Sequence, residues 1–341
     1  MRSSVASFIL AAVSVSASPS LLLSVSAPTA VEDVANLKVT TTVTNIGDES
    51  VTLLKTPESV LDPFETNTFQ LKSESGAVPD FTGAKGKFAI DRAEQTTLAA
   101  GESLNVDHSL AGVYDLTSTG EGLYNLDANP RFHYLTEGGK IATVLAVTEP
   151  ASSRISGKLA ENVDRPSTGP PGRTVGFNGC SSSQQTQITT AATNANTYVA
   201  NAISYLNGIS SGTTRYTTWF GTYSSTNEAT VQSHYTLIGT DPTSTTYNCT
   251  CTKANTYAYV YASAPGYVYL CPVFWKAPAT GTDSQAGTIV HEQSHFTVNG
   301  GTKDYAYGQS NAAALASSNP GQAIFNADNH EYFAENNPAL A

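Results

Sequence analysis

His291 and His295 lie four residues apart, and Glu292 follows the first of them. On a helix this spacing puts both imidazoles on one face, one turn apart, where they can share a metal ion. A glutamate in the second position cannot reach such a metal but can reach its bound water. Zinc lowers that water's pKa toward about 7, and the carboxylate can then take its proton as general base. In a chain of 341 residues with 6 histidines, the pattern His-Glu-x-x-His is expected by chance only about 0.005 times. Asp283 or Ser284 can cap the helix, Ile289 and Phe296 give it apolar neighbours, and Asn299-Gly300-Gly301 can end it.

A catalytic zinc needs a third protein ligand. A histidine six residues past His295 would supply one, but Gly301 stands there; Glu331 and Glu335 are available further on. Asp304 is nearer, and the double glycine can turn the chain back toward the helix. Beyond it, Asp328 and Glu331 share a helical face at i and i+3. Two carboxylates so placed call for a cation between them, and a lysine ammonium with its three donors suits.

The elements that must position these groups fall into two units. Residues 1–173 hold 13 Lys/Arg and 20 Asp/Glu, against 4 and 8 in residues 174–341. All four cysteines, both tryptophans and 14 of the 17 tyrosines follow residue 173. Residues 1–18 read as a secretory signal peptide: Arg2, an apolar run from Phe8 to Val15, then small residues. The second apolar stretch, Leu21 to Val25, is too short to span a bilayer. Residues 19–150 are expected to form an all-β, sandwich-like domain. LKVTTTVTN and ESVTLLKT alternate with period two around a turn at Asn45-Ile46-Gly47-Asp48, and KFAI, FHYL and IATVLAVTE are further strands. His108 and His133 stand alone in it. Residues 151–173, rich in Ser, Pro, Gly and charge, have the composition of a linker, with Arg173 as the site for an activating protease.

Residues 174–341 mix helices and strands, an α+β class. Ile188, Ala192, Ala195, Val199, Ala202 and Leu206 share a helical face, and AYVYA and GYVYLCPVFW flank a Pro265-Gly266 turn as a tyrosine-rich hairpin. Cys180, Cys249, Cys251 and Cys271 lack the CxxC spacing of a zinc site, and an even count in an exported chain favours two disulfides. Cys249 and Cys251 are too close to bridge each other, so two pairings remain open. A net charge of −11 argues against nucleic-acid and anionic-membrane partners.

His291-Glu292-Gln293-Ser294-His295, followed by Gly301-Thr302-Lys303-Asp304-Tyr305-Ala306-Tyr307-Gly308, resembles the signature of the aspzincins, the deuterolysin-like metalloendopeptidases. The resemblance covers about 174–341 and implies a zincin-like domain with its active helix beside a twisted sheet. It makes Asp304 the third ligand of one Zn2+ and Glu292 the general base. Tyr307 would donate a hydrogen bond to the tetrahedral oxyanion. The spacing to Asp328 and Glu331 resembles that of the fungal peptidyl-Lys metalloendopeptidases, which implies a pocket for lysine on the amino side of which the chain is cut. The same resemblance selects Cys180–Cys249 with Cys251–Cys271. With the signal peptide, it implies a secreted enzyme made as a preproenzyme, with the first half as propeptide and protein substrates as partners; nothing in the sequence argues against a monomer. Two alternatives stand beside it: a broad-specificity aspzincin without a lysine pocket, and a tyrosine-rich binding module whose structural zinc takes His234 or His330 as fourth ligand. The catalytic half holds three lysines, Lys253, Lys276 and Lys303, and the first half seven. The enzyme is therefore expected to spare itself and degrade its propeptide.

Overall fold

The computed structural model describes residues 18–161, 165 and 174–341. The expected signal segment up to residue 17 and the cleavage site at Arg173 lie outside these residues.

Period-two patterning sets up the N-terminal unit. The Lys38–Asn45 strand buries Val39, Thr41, Val43 and Asn45 and turns the residues between them outward. It pairs with Leu21–Ser26 on one side and Ser103–Ser109 on the other. A second sheet runs Ala30–Glu32, Ala151–Ser156, Gly122–Ala128, Phe69–Ser73, and a third runs Ile141–Leu145, Arg131–Leu135, Val51–Lys55, Glu94–Leu98. Leu23, Val43, Leu53, Leu71, Tyr124, Phe132 and Ile155 from these sheets share one core. The apolar Leu21–Val25 stretch is thus an ordinary core strand.

Three expectations are corrected here. Asn45 to Asp48 do not close a hairpin, because the strands on either side lie in different sheets. The Asn45 side chain donates to the carbonyls of Glu49 and Leu98 and accepts from Gly47 N–H, which carries the chain across to the other sheet. Residues 151–156 are a strand between two others, with Ser153 and Ile155 buried, so the sheet extends into the expected linker. The strand containing Lys87 and Phe88, Ala84–Phe88, leaves the N-terminal sheets and forms the edge of the C-terminal one.

That C-terminal sheet has the order Gly176–Asn178, Thr246–Asn248, Tyr267–Leu270, Thr256–Tyr261, Ala84–Phe88. Thr256, Ala258 and Val260 face the core, and the alternate Tyr257, Tyr259 and Tyr261 face away. This outer tyrosine face packs on itself: Tyr259 stacks on Tyr269 at 4.5 Å, while Phe64 of the N-terminal unit meets Tyr259 edge-on. The helices are α1 (Ser182–Asn207), α2 (Thr214–Phe220), α3 (Ser225–Ile238), α4 (Gln285–His295), α5 (Gln309–Ser318), α6 (Pro320–Ala323) and α7 (Ala327–Glu335). Ser181 starts α1 with a capping box closed by Gln184. The face read from the sequence, Ile188 to Leu206, is buried throughout. It packs with α4 and α7 in a core shared with the sheet. Disulfides join Cys180 to Cys249 and Cys251 to Cys271. Helices segregated against a sheet make this an α+β protein.

Candidate active site

Helix α4 carries the two histidines, and every residue of it is buried. Ser284 is its N-cap, with Oγ accepting from Gly287 N–H at 2.9 Å. The helix stops at His295. Gly301, in the left-handed region at φ 58°, lets the chain double back, and its N–H and that of Thr302 bond to Phe296 and Ser294 carbonyls. This return brings Asp304 to the histidines. Asp304 Oδ1 lies 3.3 Å from both His291 Nε2 and His295 Nε2, and the two nitrogens are 3.2 Å apart.

That near-equilateral triangle tests the fit of a metal. Ligands ~2.0–2.1 Å from a tetrahedral centre stand about 3.3–3.4 Å from one another. Asp304 Oδ1 is also buried without a hydrogen-bond donor. The opposite ring nitrogens are fixed as metal-bound imidazoles require: His295 Nδ1 faces the Thr302 carbonyl at 3.0 Å, and His291 Nδ1 faces Asp328 Oδ1 at 2.8 Å. Burial opposes charge on His291, yet Asp304, Asp328 and Glu331 around it raise its pKa well above the usual range. Three carboxylates converging on one imidazole leave an excess of negative charge that a divalent cation balances. Two nitrogens and one carboxylate oxygen suit zinc.

Glu292, fully buried, points into the same space. Its Oε1 accepts the Lys87 backbone N–H at 3.0 Å, and burial pushes its pKa up to about 8. Tyr307 donates its hydroxyl to the Gly86 carbonyl at 3.0 Å. Burial, then the nearby Asp304 charge, raise the phenol's pKa well above normal, so it stays a donor. Tyr307 is oriented by an edge-on contact with Phe88.

Helix α7 begins beside Asp304, tied down by Lys303 N–H to Phe325 O and Ala327 N–H to Lys303 O. Its first turns carry Asp328 and Glu331, both buried. Glu331 Oε1 holds the Lys87 ammonium. Asp328 stands beside the ammonium rather than on it. Its second oxygen accepts Gly308 N–H at 2.6 Å, so it positions His291 and adds negative field to the pocket. The other direct partner is Asp283, whose Oδ1 is 2.7 Å from Lys87 Nζ and 2.7 Å from the Tyr332 hydroxyl that donates to it. Asp283 was not singled out for this role. Ser284 takes the helix cap, and Asp283, at φ 52°, is freed to face the pocket. The only sequence signal was an acidic residue in an acid-poor half. Burial disfavours a charged Lys87, but Glu331, Asp328, Asp283 and Glu335 outweigh that cost and hold its pKa well above normal. Tyr257 and Tyr332 rings lie 4.8 and 5.4 Å from the ammonium. Lys87, Tyr257, Asp283, Asp328 and Tyr332 line a cavity of about 400 Å³.

His234 and His330 take no part. They are buried against each other, 3.0 Å apart, and His330 Nδ1 bonds the Asn326 carbonyl. Neither is among the groups of described residues that converge on a common metal position.

Residues 205–335 match the model of the lysine-specific metallo-endopeptidase family of aspzincins. The chain is 50% identical over 337 residues to a peptidyl-Lys metalloendopeptidase of Grifola frondosa, covering 96% of each chain. This chain is an aspzincin. A peptidyl-Lys metalloendopeptidase of Armillaria mellea is 45% identical over 98% of this chain and 96% of its own. A solved zinc peptidase from Grifola frondosa is 59% identical, covers 48% of this chain and all of its own, and superposes with a TM-score of 0.47. The aspzincin is therefore a metalloendopeptidase. No helix among its described residues is long and apolar enough to cross a membrane.

Proposed function

We propose that this aspzincin is a secreted zinc endopeptidase, made as a preproenzyme, that cuts peptide chains on the amino side of lysine. One observation carries the specificity. The Lys87 ammonium sits against Glu331 and Asp283, and the peptide carbonyl just before it is held by Tyr307. The names of the Grifola and Armillaria relatives point the same way.

His291, His295 and Asp304 would hold the zinc. When bound, the metal supplies a Lewis acid and an acidified water. Glu292 takes the proton of the attacking water and delivers it to the leaving nitrogen, whose place Lys87 N–H marks. Tyr307 donates to the carbonyl oxygen as negative charge builds there, which stabilises the transition state more than the ground state. Glu331 and Asp283 receive the ammonium, and Asp328 fixes His291. Residues 1–18 serve as signal, 19–150 with the strand that follows as propeptide, and a different protease cuts after Arg173 to release a form beginning at Thr174.

Glu292→Gln tests the division of labour. It should keep its zinc and lose about 10²–10⁴-fold in peptide hydrolysis. Full activity in that variant, or equal cutting before arginine and lysine by the parent, overturns the assignment.

A further inference from the structure

The strand Ala84–Phe88 belongs by sequence to the N-terminal unit, yet it lies in the catalytic cleft as a peptide substrate would. It pairs antiparallel with the sheet edge, with Gly86 opposite Tyr259 and Lys85 opposite Val260. Contacts suited to a scissile bond converge on the bond between Gly86 and Lys87. Tyr307 holds the Gly86 carbonyl oxygen, Glu292 accepts from the Lys87 nitrogen, and Asp304 Oδ2 is 3.4 Å from Gly86 N. The Lys87 ammonium fills the acidic pocket. Lys85, one residue before Gly86, bonds the Thr302 carbonyl at 2.8 Å.

We infer that this strand is a built-in substrate. It blocks the cleft while the units are joined, and its Gly86–Lys87 bond is a site where the enzyme cuts its own chain. The inference rests on the reading that cleavage precedes lysine. Hydrolysis there adds the water oxygen to the Gly86 carbonyl carbon and breaks the carbon–nitrogen bond. Glu292 carries the water's proton to the departing nitrogen. The products are a Gly86 carboxylate and a new amino terminus at Lys87.

Two features make the strand an effective plug. Glycine is required at 86, because a Cβ there would run into the backbone of Ala258 and Tyr259, so only glycine allows so close an approach. Both flanks are pinned: Ala84 N–H bonds Glu65 O and Ala89 N–H bonds Asn255 O, each at 2.8 Å. Cutting the bond alone therefore leaves both ends in place, and the cleft opens when the strand is displaced or the N-terminal unit departs. The absence of cysteine from this unit excludes a thiolate block, and the lysine-bearing strand supplies the latency instead.

The test uses the full-length, zinc-loaded chain and its Lys87→Ala and Gly86→Val variants. A quenched peptide with one lysine reports the rate, and mass spectrometry reports new termini. Circular dichroism and elution volume check folding. Gly86→Val leaves Lys87 in place and displaces the strand by a different route. Both variants should hydrolyse the peptide at least tenfold faster than the uncut parent. The parent should yield a terminus at Lys87 that is absent from Lys87→Ala and from Glu292→Gln. If the folded variants are as latent as the parent, or the parent never yields that terminus, the inference is overturned. Separating the units with a second protease then distinguishes two failures. Parent and variants that all cut before lysine leave the proposed function standing, and chains that never do so refute that function itself.

Discussion

Asp283→Asn should lower the preference for lysine without touching the metal. Asn tolerates the left-handed backbone at this position and can still accept the Tyr332 hydroxyl, so the shape of the pocket survives. What is lost is one charge-assisted bond at 2.7 Å, and such bonds contribute about 1.5–3 kcal/mol. Asp283 is 42% exposed while Glu331 is fully buried, so solvent screening puts Asp283 at the low end. A loss of about 1.5–2 kcal/mol is roughly 10- to 30-fold in kcat/KM. Glu331→Gln breaks a buried pair, at about 3–5 kcal/mol, or roughly a hundredfold to several thousandfold. The assay compares kcat/KM for two peptides that differ only in lysine or norleucine after the scissile bond, with zinc content measured in parallel. Zinc matters because Glu331 also comes within 3.4 Å of His291. The reasoning fails if Asp283→Asn leaves the lysine-to-norleucine ratio unchanged, or costs more than Glu331→Gln.

Asp304→Asn removes the anionic ligand and should lower zinc affinity at least tenfold while the fold persists; metal analysis after dialysis decides, and full occupancy would contradict the ligand set. Gly287→Ala pushes a methyl into the Glu335 carboxylate, which holds the Ser284 N–H and hydroxyl at the start of α4. Overpacking of this kind costs about 1–3 kcal/mol, so thermal unfolding should move down by several degrees. Burial lowers the pKa of His234 to about 4 and that of His330 to about 3. Both rings are neutral in the fold and charge in the unfolded chain below about pH 6.5, so their contribution is full above pH 6.5 and lost as pH falls toward 4. His234→Asn should therefore flatten the decline in unfolding free energy between pH 7 and pH 5; a slope equal to the parent's would refute that account.

What the sequence could reveal depended on how locally each feature is encoded. The convergence of His291, His295 and Asp304 was legible because helix α4 and a glycine-bound return put all three within fourteen residues, His291 to Asp304. The face of α1 was legible because 3.6-residue periodicity needs no partner. The lysine pocket was only partly legible. Glu331 and Asp328 share a helix, but whether each touches the ammonium or His291 depends on the angle between α4 and α7. Asp283 comes from before α4 and was hidden by its equally good reading as a helix cap. Least legible was Ala84–Phe88. The sequence reading, KFAI at 87–90, caught only its last two residues; strand propensity says nothing about which sheet it joins, and its partner Thr256–Tyr261 lies in the other unit. The Asn45–Asp48 turn failed likewise: turn residues fix a change of direction, not whether the next strand pairs or crosses.

The most direct measurement is a digest of one denatured protein by the active enzyme, with and without a zinc chelator, reading every new terminus by mass spectrometry. The account predicts chelator-sensitive cuts with lysine as the new N-terminal residue. Cuts that persist in the chelator contradict the site at His291, His295 and Asp304, and chelator-sensitive cuts scattered over other residues contradict the pocket at Glu331 and Asp283.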